Sequence, residues 1–463
     1  MKKRLYILFI SAGLSVFTGC SDILDVEPTS SIEFEGAITD ARSADRALQG
    51  VYSAFQSDDY YGLNYLYYQD LYTDNLTFTG TFSTHLEVAR RNINPTNLQI
   101  AETWAAIYRA IGRANVVIQE VGKLANLEAG EKNRILGEAY FLRALAYFDL
   151  VKVFGGVPIV TVPTLNVAGI QNQGRSTEAE VYTQIINDLK EAETKLQGLA
   201  DSSNPYSASD MAASALLARV YLQQGNNALA RDKATAVINN GPYSLASNFG
   251  DIFNSTGMSA TTDEVILELA FNRDDQNALA SSSNPAVPGQ KFYVSTNLFN
   301  QFSASASLGD ERFAETTLQQ GTRRRIVKYD DVSQNSDNIP LIRLAEMYLI
   351  RAEANARLGA ATAVPSLVVL SDINMIRNRA GLPNAAPLTN AAALTEILNQ
   401  RRLEFAFEGF RFMDLKRYNL TCQVLTFCPA TGTTQDNSYK NLWPIPFQQL
   451  ETNPNLNPQN PGY

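Results

Sequence analysis

A single histidine limits the chemistry open to this chain. His85 stands in "GTFSTHLEVARR" and the 463 residues hold no other, which excludes a histidine metal cluster, an HExxH zinc helix and a Ser-His-Asp triad on any other histidine. No Gly-x-Ser-x-Gly turn, Walker loop or Gly-x-Gly-x-x-Gly occurs, so the nucleophile elbow and the usual phosphate cradles are missing as well. His85 itself reads as an ordinary loop or helix-start residue. Paired carboxylates for glycoside hydrolysis stay open, because their separation is a spatial fact that 47 acidic residues could satisfy. In "YDDVSQNSDN", Asp330, Asp331 and Asp337 could hold calcium through oxygen ligands, but the EF-hand spacing and glycine are missing and a solvated turn is the simpler reading. No other metal or cofactor is suggested.

Aromatic side chains carry more information. Tyr61, Tyr65, Tyr68 and Tyr72 have helical spacing and belong to a core. Phe78 and Phe82 fall outside that stripe, among the threonines and glycine of "NLTFTGTFSTH", which read as a loop. Phe271, Phe292 and Tyr293 flank the Ser/Asn/Pro-rich "SSSNPAVPGQ". A flat ring on an exposed loop stacks on a sugar or grips an apolar peptide side chain at small entropic cost. These five residues form the candidate ligand-binding surface; the competing reading, rings folded inward over the core, is left open.

The elements that would hold such a surface are helices. "EAYFLRALAYFDLVKVFGGVP" (138–158) is apolar around most of its circumference, with Glu138, Asp149 and Lys152 on one narrow edge. It must be buried among other helices, with Arg143 in an internal ion pair. Gly155-Gly156 and Val157-Pro158 force an extended exit. The stretch "TWAAIYRAIGRANVVIQEVGKL" is its partner. "DMAASALLARVYLQQGNNALARDKATAVINNGPYSL" reads as a tetratricopeptide-like hairpin, "RLAEMYLIRAEANARLG" with "SLVVLSDINMIRNRAGLP" as another, and 178–196 as part of a fourth pair. "EVILELA" (264–270) suits a short strand in a section with little helical period. The fold class is mostly α: four helix pairs supporting an irregular, loop-rich half with a few short strands.

The first twenty residues, "MKKRLYILFISAGLSVFTGC", have a basic opening and an apolar run of secretory length. The ending Phe-Thr-Gly-Cys resembles the lipobox of bacterial lipoproteins, which makes 1–19 a signal peptide and Cys20 the acylated start of a single domain, 20–463. Without Lys2, Lys3 and Arg4 the balance is 35 basic against 47 acidic residues, about −12. That charge speaks against nucleic acid and against a broad electrostatic grip on anionic lipid. The acyl anchor is then the membrane attachment. Cys422 and Cys428, in "TCQVLTFCPATG", are spaced for a local disulfide in an oxidising compartment.

The segments "RALAYFDLVKVFGGVPIV", "RLAEMYLIRAEANARLG", "INMIRNRAGLP", "RRLEFAFEGFRFMDLKR" and "LWPIPFQQLETNPNLNPQNPGY", with "SDILDVEP" after Cys20, resemble in sequence and order the SusD/RagB family of Bacteroidetes surface lipoproteins. That resemblance implies a catalytically inert protein on the outer membrane, facing the exterior. Its partner would be a SusC-like TonB-dependent transporter that receives a captured glycan or peptide. Starch-binding members use loop aromatics, often tryptophan, whereas here only Trp104 and Trp443 occur, both in scaffold segments. A Tyr/Phe platform suits another glycan or a peptide. From the residues alone, a glycoside hydrolase and a purely structural interaction protein stay in view.

Overall fold

The computed structural model describes residues 37–164, 172–259, 262–289, 291–359, 364–385, 389–427 and 438–463. From Asp40 to Tyr463 the chain clusters as one compact unit. It opens with helices Ala41–Phe55 (α1) and Asn64–Leu71 (α2), strand Leu76–Thr79 (β1) and helix Ser83–Ala89 (α3). Five helices follow: Leu98–Lys123 (α4), Ala129–Phe154 (α5), Glu178–Lys195 (α6), Asp210–Gln223 (α7) and Asn227–Asn240 (α8). The irregular section holds Val265–Leu269 (β2), Leu279–Ser283 (α9), Lys291–Val294 (β3), Thr296–Ala306 (α10), Arg312–Thr316 (α11), Thr317–Gln320 (β4), Arg323–Ile326 (β5) and Ile339–Arg343 (β6). The chain returns to helix at Leu344–Leu358 (α12), Leu367–Arg379 (α13), Asn390–Glu404 (α14), Arg411–Arg417 (α15), Thr421–Leu425 (α16) and Phe447–Thr452 (α17).

Local chemistry sets the helix ends. Thr177 and Glu180 satisfy each other's backbone N–H groups in a capping box at the start of α6, and Asp40 with Ser43 does the same for α1. Helix α5 stops where Gly155 adopts φ +74°, and a Cβ on Gly156 would lie 2.3 Å from the Ser176 carbonyl oxygen. Only glycine lets the chain leave the helix in that direction.

Helices α4 to α8 pack in series, and α8 continues onto α12, which takes α13 and α14 on its far side. The α4/α5, α7/α8 and α12/α13 pairs are thus present, while α6 lies between α5 and α7. Alanines allow the close approach of α12 and its neighbours: Ala345, Ala352 and Ala356 pack with Val369, Ile373 and Ile376 of α13 and with Ala393 and Ile397 of α14. The fold is mostly helical.

Arg143 forms the internal pair its surroundings demand. Its Nε and Nη2 donate to the two carboxylate oxygens of Asp188 on α6 at 2.8 and 2.7 Å, and Nη1 donates to Asn115 Oδ1 on α4. The polar edge of α5, by contrast, is not its solvent face: Glu138, Asp149 and Lys152 are all buried. Tyrosines from α1 and from the segment ahead of α2 meet it. Tyr52 donates to Glu138 at 2.7 Å, Tyr60 and Tyr61 donate to Asp149, and Lys152 lies 2.6 Å from Asp149. Helical period marks a polar stripe without saying whether water or a buried hydroxyl faces it.

The irregular section is pinned by three two-stranded antiparallel ladders, β1–β3, β2–β6 and β4–β5. "EVILELA" supplies β2, buried along its full length. At the foot of β6, Arg343 donates to Glu264, Glu404 and Glu408, so one guanidinium joins the strand region to the last long helix. With so many buried donors and acceptors committed, this joint is rigid and expensive to break.

Candidate ligand-binding face

Strand β1 brings Phe78 against β3 in the register Phe78↔Phe292 and Thr77↔Tyr293, so two segments distant in sequence form one surface. The Phe78 and Phe292 rings are 5.3 Å apart between centroids. His85, on the first turn of α3, packs against both, 5.0 Å from Phe78 and 5.4 Å from Phe292. Phe82 caps α3 from outside, 5.8 Å from the histidine ring and 55% exposed. Tyr68 on α2 closes the group, its hydroxyl 2.6 Å from His85 Nδ1. Burial pushes the Tyr68 phenol well up and the His85 imidazole down. Both are therefore neutral near pH 7, and a neutral phenol and a neutral imidazole share one proton across this contact.

The five sequence-predicted aromatics divide. Phe82 is exposed and Phe78 half-buried, while Phe271, Phe292 and Tyr293 are 0%, 1% and 5% exposed. The loop reading of these segments is corrected: Phe78, Phe292 and Tyr293 lie on strands. Antiparallel pairing turns one face of each strand inward, and an apolar ring there gains more by burial than by waiting for a ligand. Tyr293 points to the other side of the ladder, where the Arg323 guanidinium stacks 5.2 Å from its ring. Phe271 follows β2 and is held apart, its N–H donating to Asn338 Oδ1 at 2.8 Å and its carbonyl accepting from Gly257. What remains for a ligand is the Phe82 ring against His85, which rests on Phe78 and Phe292. Sequence reasoning passed over His85 and Tyr68; the i, i+3 spacing of Phe82 and His85 at a helix start was the available signal.

The aspartate cluster serves a turn. Burial would raise the Asp331 carboxyl, but hydrogen bonds outweigh it: Ser333 and Ser336 donate hydroxyls to it, each at 2.6 Å, and with backbone N–H groups hold it at about 2. Burial, with Asp330 and Asp331 nearby, pushes Asp337 up to about 7. No three His, Cys, Asp or Glu side chains among the described residues are grouped to hold a metal ion. Cys422, on α16, is disulfide-bonded; Cys20 and Cys428 lie outside the described residues.

Two family models match, one described as "Starch-binding associating with outer membrane" over residues 22–222 and one as "SusD family" over 284–463. The chain belongs to the SusD/RagB family. A SusD-like protein of Formosa agariphila is 29% identical over 98% of both chains. The starch-binding protein SusD of Bacteroides thetaiotaomicron is 26% identical over 72% of this chain and 73% of its own. The solved structure of a laminarin-binding SusD-like protein superposes with a TM-score of 0.76 at 26% identity, covering 92% of this chain and 100% of that one. As a SusD-like protein, the chain is a binding protein and not an enzyme. The segments that resemble the family are those that build α5, α12 to α15 and the closing turn around Trp443, which is scaffold and lies away from Phe82 in the sequence.

Proposed function

We propose that the protein is a lipoprotein of the outer membrane that captures a glycan at the cell exterior and passes it to a SusC-like TonB-dependent transporter. In this reading 1–19 is the signal peptide, Cys20 carries the acyl anchor of the domain 20–463, and Cys422 pairs with Cys428. Support for a glycan comes from the relatives, one named for starch and one for laminarin. The observation that carries the reading is Phe82: a large ring more than half exposed, set against the His85 ring, which Phe78 and Phe292 in turn support. An exposed phenylalanine held in place in this way can stack on the C–H face of a sugar without first losing conformational freedom. Affinity electrophoresis against neutral, uronic and sulfated polysaccharides and an apolar peptide set tests it. Retardation by at least one glycan, weakened in Phe82→Ala, is expected; retardation by peptides alone moves the ligand class, and none by any glycan removes the reading.

A further inference from the structure

A second concavity lies on the protein, between α1, the first half of α5, the segment ahead of α7 and the end of β2. Its volume is about 600 Å³, within the range of small-molecule sites, roughly 300–1,000 Å³. None of the Phe78–Phe82–His85 group lines it.

The polar groups of this cleft share one character. Its one basic residue, among the described residues, is Arg134, already spent on Asp45 and Glu138. Opposite stands Glu268, buried on β2, with a single donor to each oxygen: Asn338 Nδ2 at 2.9 Å and Ser255 Oγ at 3.2 Å. Among the described residues no cation pairs with it, and burial pushes its carboxyl up to about 7, so it is found both with and without its proton near neutrality. The Tyr206 hydroxyl in the wall has no hydrogen-bond partner among the described residues. Asn338 also donates to the Gly257 carbonyl at 2.8 Å, which ties the Gly257–Met258 lip to Glu268. Met258 is 77% exposed, and Leu48 and Leu269 supply apolar wall. Such a lining asks for a ligand with apolar C–H faces and groups that both donate and accept. A carboxylate or sulfate would meet Asp45, Glu138 and Glu268 with no free cation to receive it. A hydroxyl satisfies Glu268 in either protonation state, and an adaptable thioether at the rim closes over a ring.

We infer that this cleft is a second glycan site, selective for neutral hydroxylated sugar units over anionic ones. The inference rests on the glycan-binding reading and adds a place and a charge class to it.

Calorimetric titration with laminaritriose, maltotriose and trigalacturonate separates the two. Phe82→Ala is the background in which only the cleft remains. Gln49→Trp, at an exposed position of α1 that lines the cleft, fills it without touching the core. Tyr206→Phe removes one hydroxyl at constant shape. Melting temperatures within a degree or two of the parent's, by circular dichroism, certify each fold. Expected in the Phe82→Ala background are retained binding of a neutral trisaccharide, a loss of about tenfold or more on adding Gln49→Trp, a loss of about fivefold on adding Tyr206→Phe, and weaker binding of trigalacturonate. Loss of all binding in Phe82→Ala, indifference to both cleft substitutions, or preference for trigalacturonate overturns the cleft assignment and leaves capture at Phe82 standing. Failure of the unsubstituted protein to bind any glycan overturns both.

Discussion

Phe78 and Phe292 face each other across the β1–β3 ladder, 5.3 Å between ring centroids, and only this pairing gives the exposed Phe82 and its neighbour His85 a floor. The two phenylalanines at the ends of this stack have opposite duties. Phe292→Ala opens a cavity beneath His85 and Tyr67 and is expected to cost about 3–5 kcal/mol of stability in denaturant titration. Phe82→Ala is expected to change stability by less than about 0.5 kcal/mol while weakening glycan affinity by about 1–3 kcal/mol in calorimetry.

The Arg143–Asp188 pair joins α5 to α6 inside the helical stack. Arg143→Ala strands a buried carboxylate and should destabilise by about 3–5 kcal/mol. Arg143→Met combined with Asp188→Leu removes both charges, and most of that loss is expected to return. Urea unfolding of the two variants reads the difference.

His85 gives a direct view of the floor, since a protein with one histidine shows one imidazole titration in proton NMR. Burial lowers its folded-state pKa, so the titration is expected below 6.5. The sign for stability follows: the unfolded chain binds this proton more readily than the folded one, so the contribution is complete above pH 6.5 and is lost as pH falls through the folded-state pKa. Tyr68→Phe deletes the hydrogen bond at Nδ1 and should alter both the titration and the ring's chemical shifts.

Glu268 acts with the opposite slope. Burial raises its carboxyl to about 7, so between roughly pH 4.5 and 7 the folded protein holds a proton that the unfolded chain has released. Its contribution is complete below pH 4.5 and lost as pH rises through 7. Asp70, raised to about 6, and Asp337, raised to about 7, add to the same slope, again through burial. The stability advantage of the parent over Glu268→Gln is therefore expected to shrink by about 1–3 kcal/mol between pH 5 and 8, measured by urea unfolding at each pH.

Much of the scaffold could be read from residue order. The tyrosine stripe of α2, the hairpin around Gly225, the internal pairing of Arg143 and the glycine exit from α5 each follow from period, turn chemistry or the cost of an unpaired buried charge. The site was less legible, for physical reasons. A four-residue strand such as β1 or β3 is too short to show its alternation, and its polar neighbours resemble a loop; only distant partners bury Phe292 on one side of the ladder and Tyr293, under Arg323, on the other. Glu138 and Asp149 read only as a narrow polar edge, with no sign of what meets it, because the tyrosines that bind them come from other elements. The cleft joins α1, α5, the segment ahead of α7, the Gly257–Met258 lip and β2, and no local pattern announces a hollow made by segments so far apart in sequence.

Capture without turnover is the central claim, and one measurement addresses it most directly: titrate the protein calorimetrically with a panel of defined glycans, then recover the ligand after prolonged incubation and assay it for new reducing ends. The account predicts saturable binding of at least one glycan, weakened by Phe82→Ala, and recovery of that glycan at its original length. New reducing ends, or a flat titration across the panel, would contradict it.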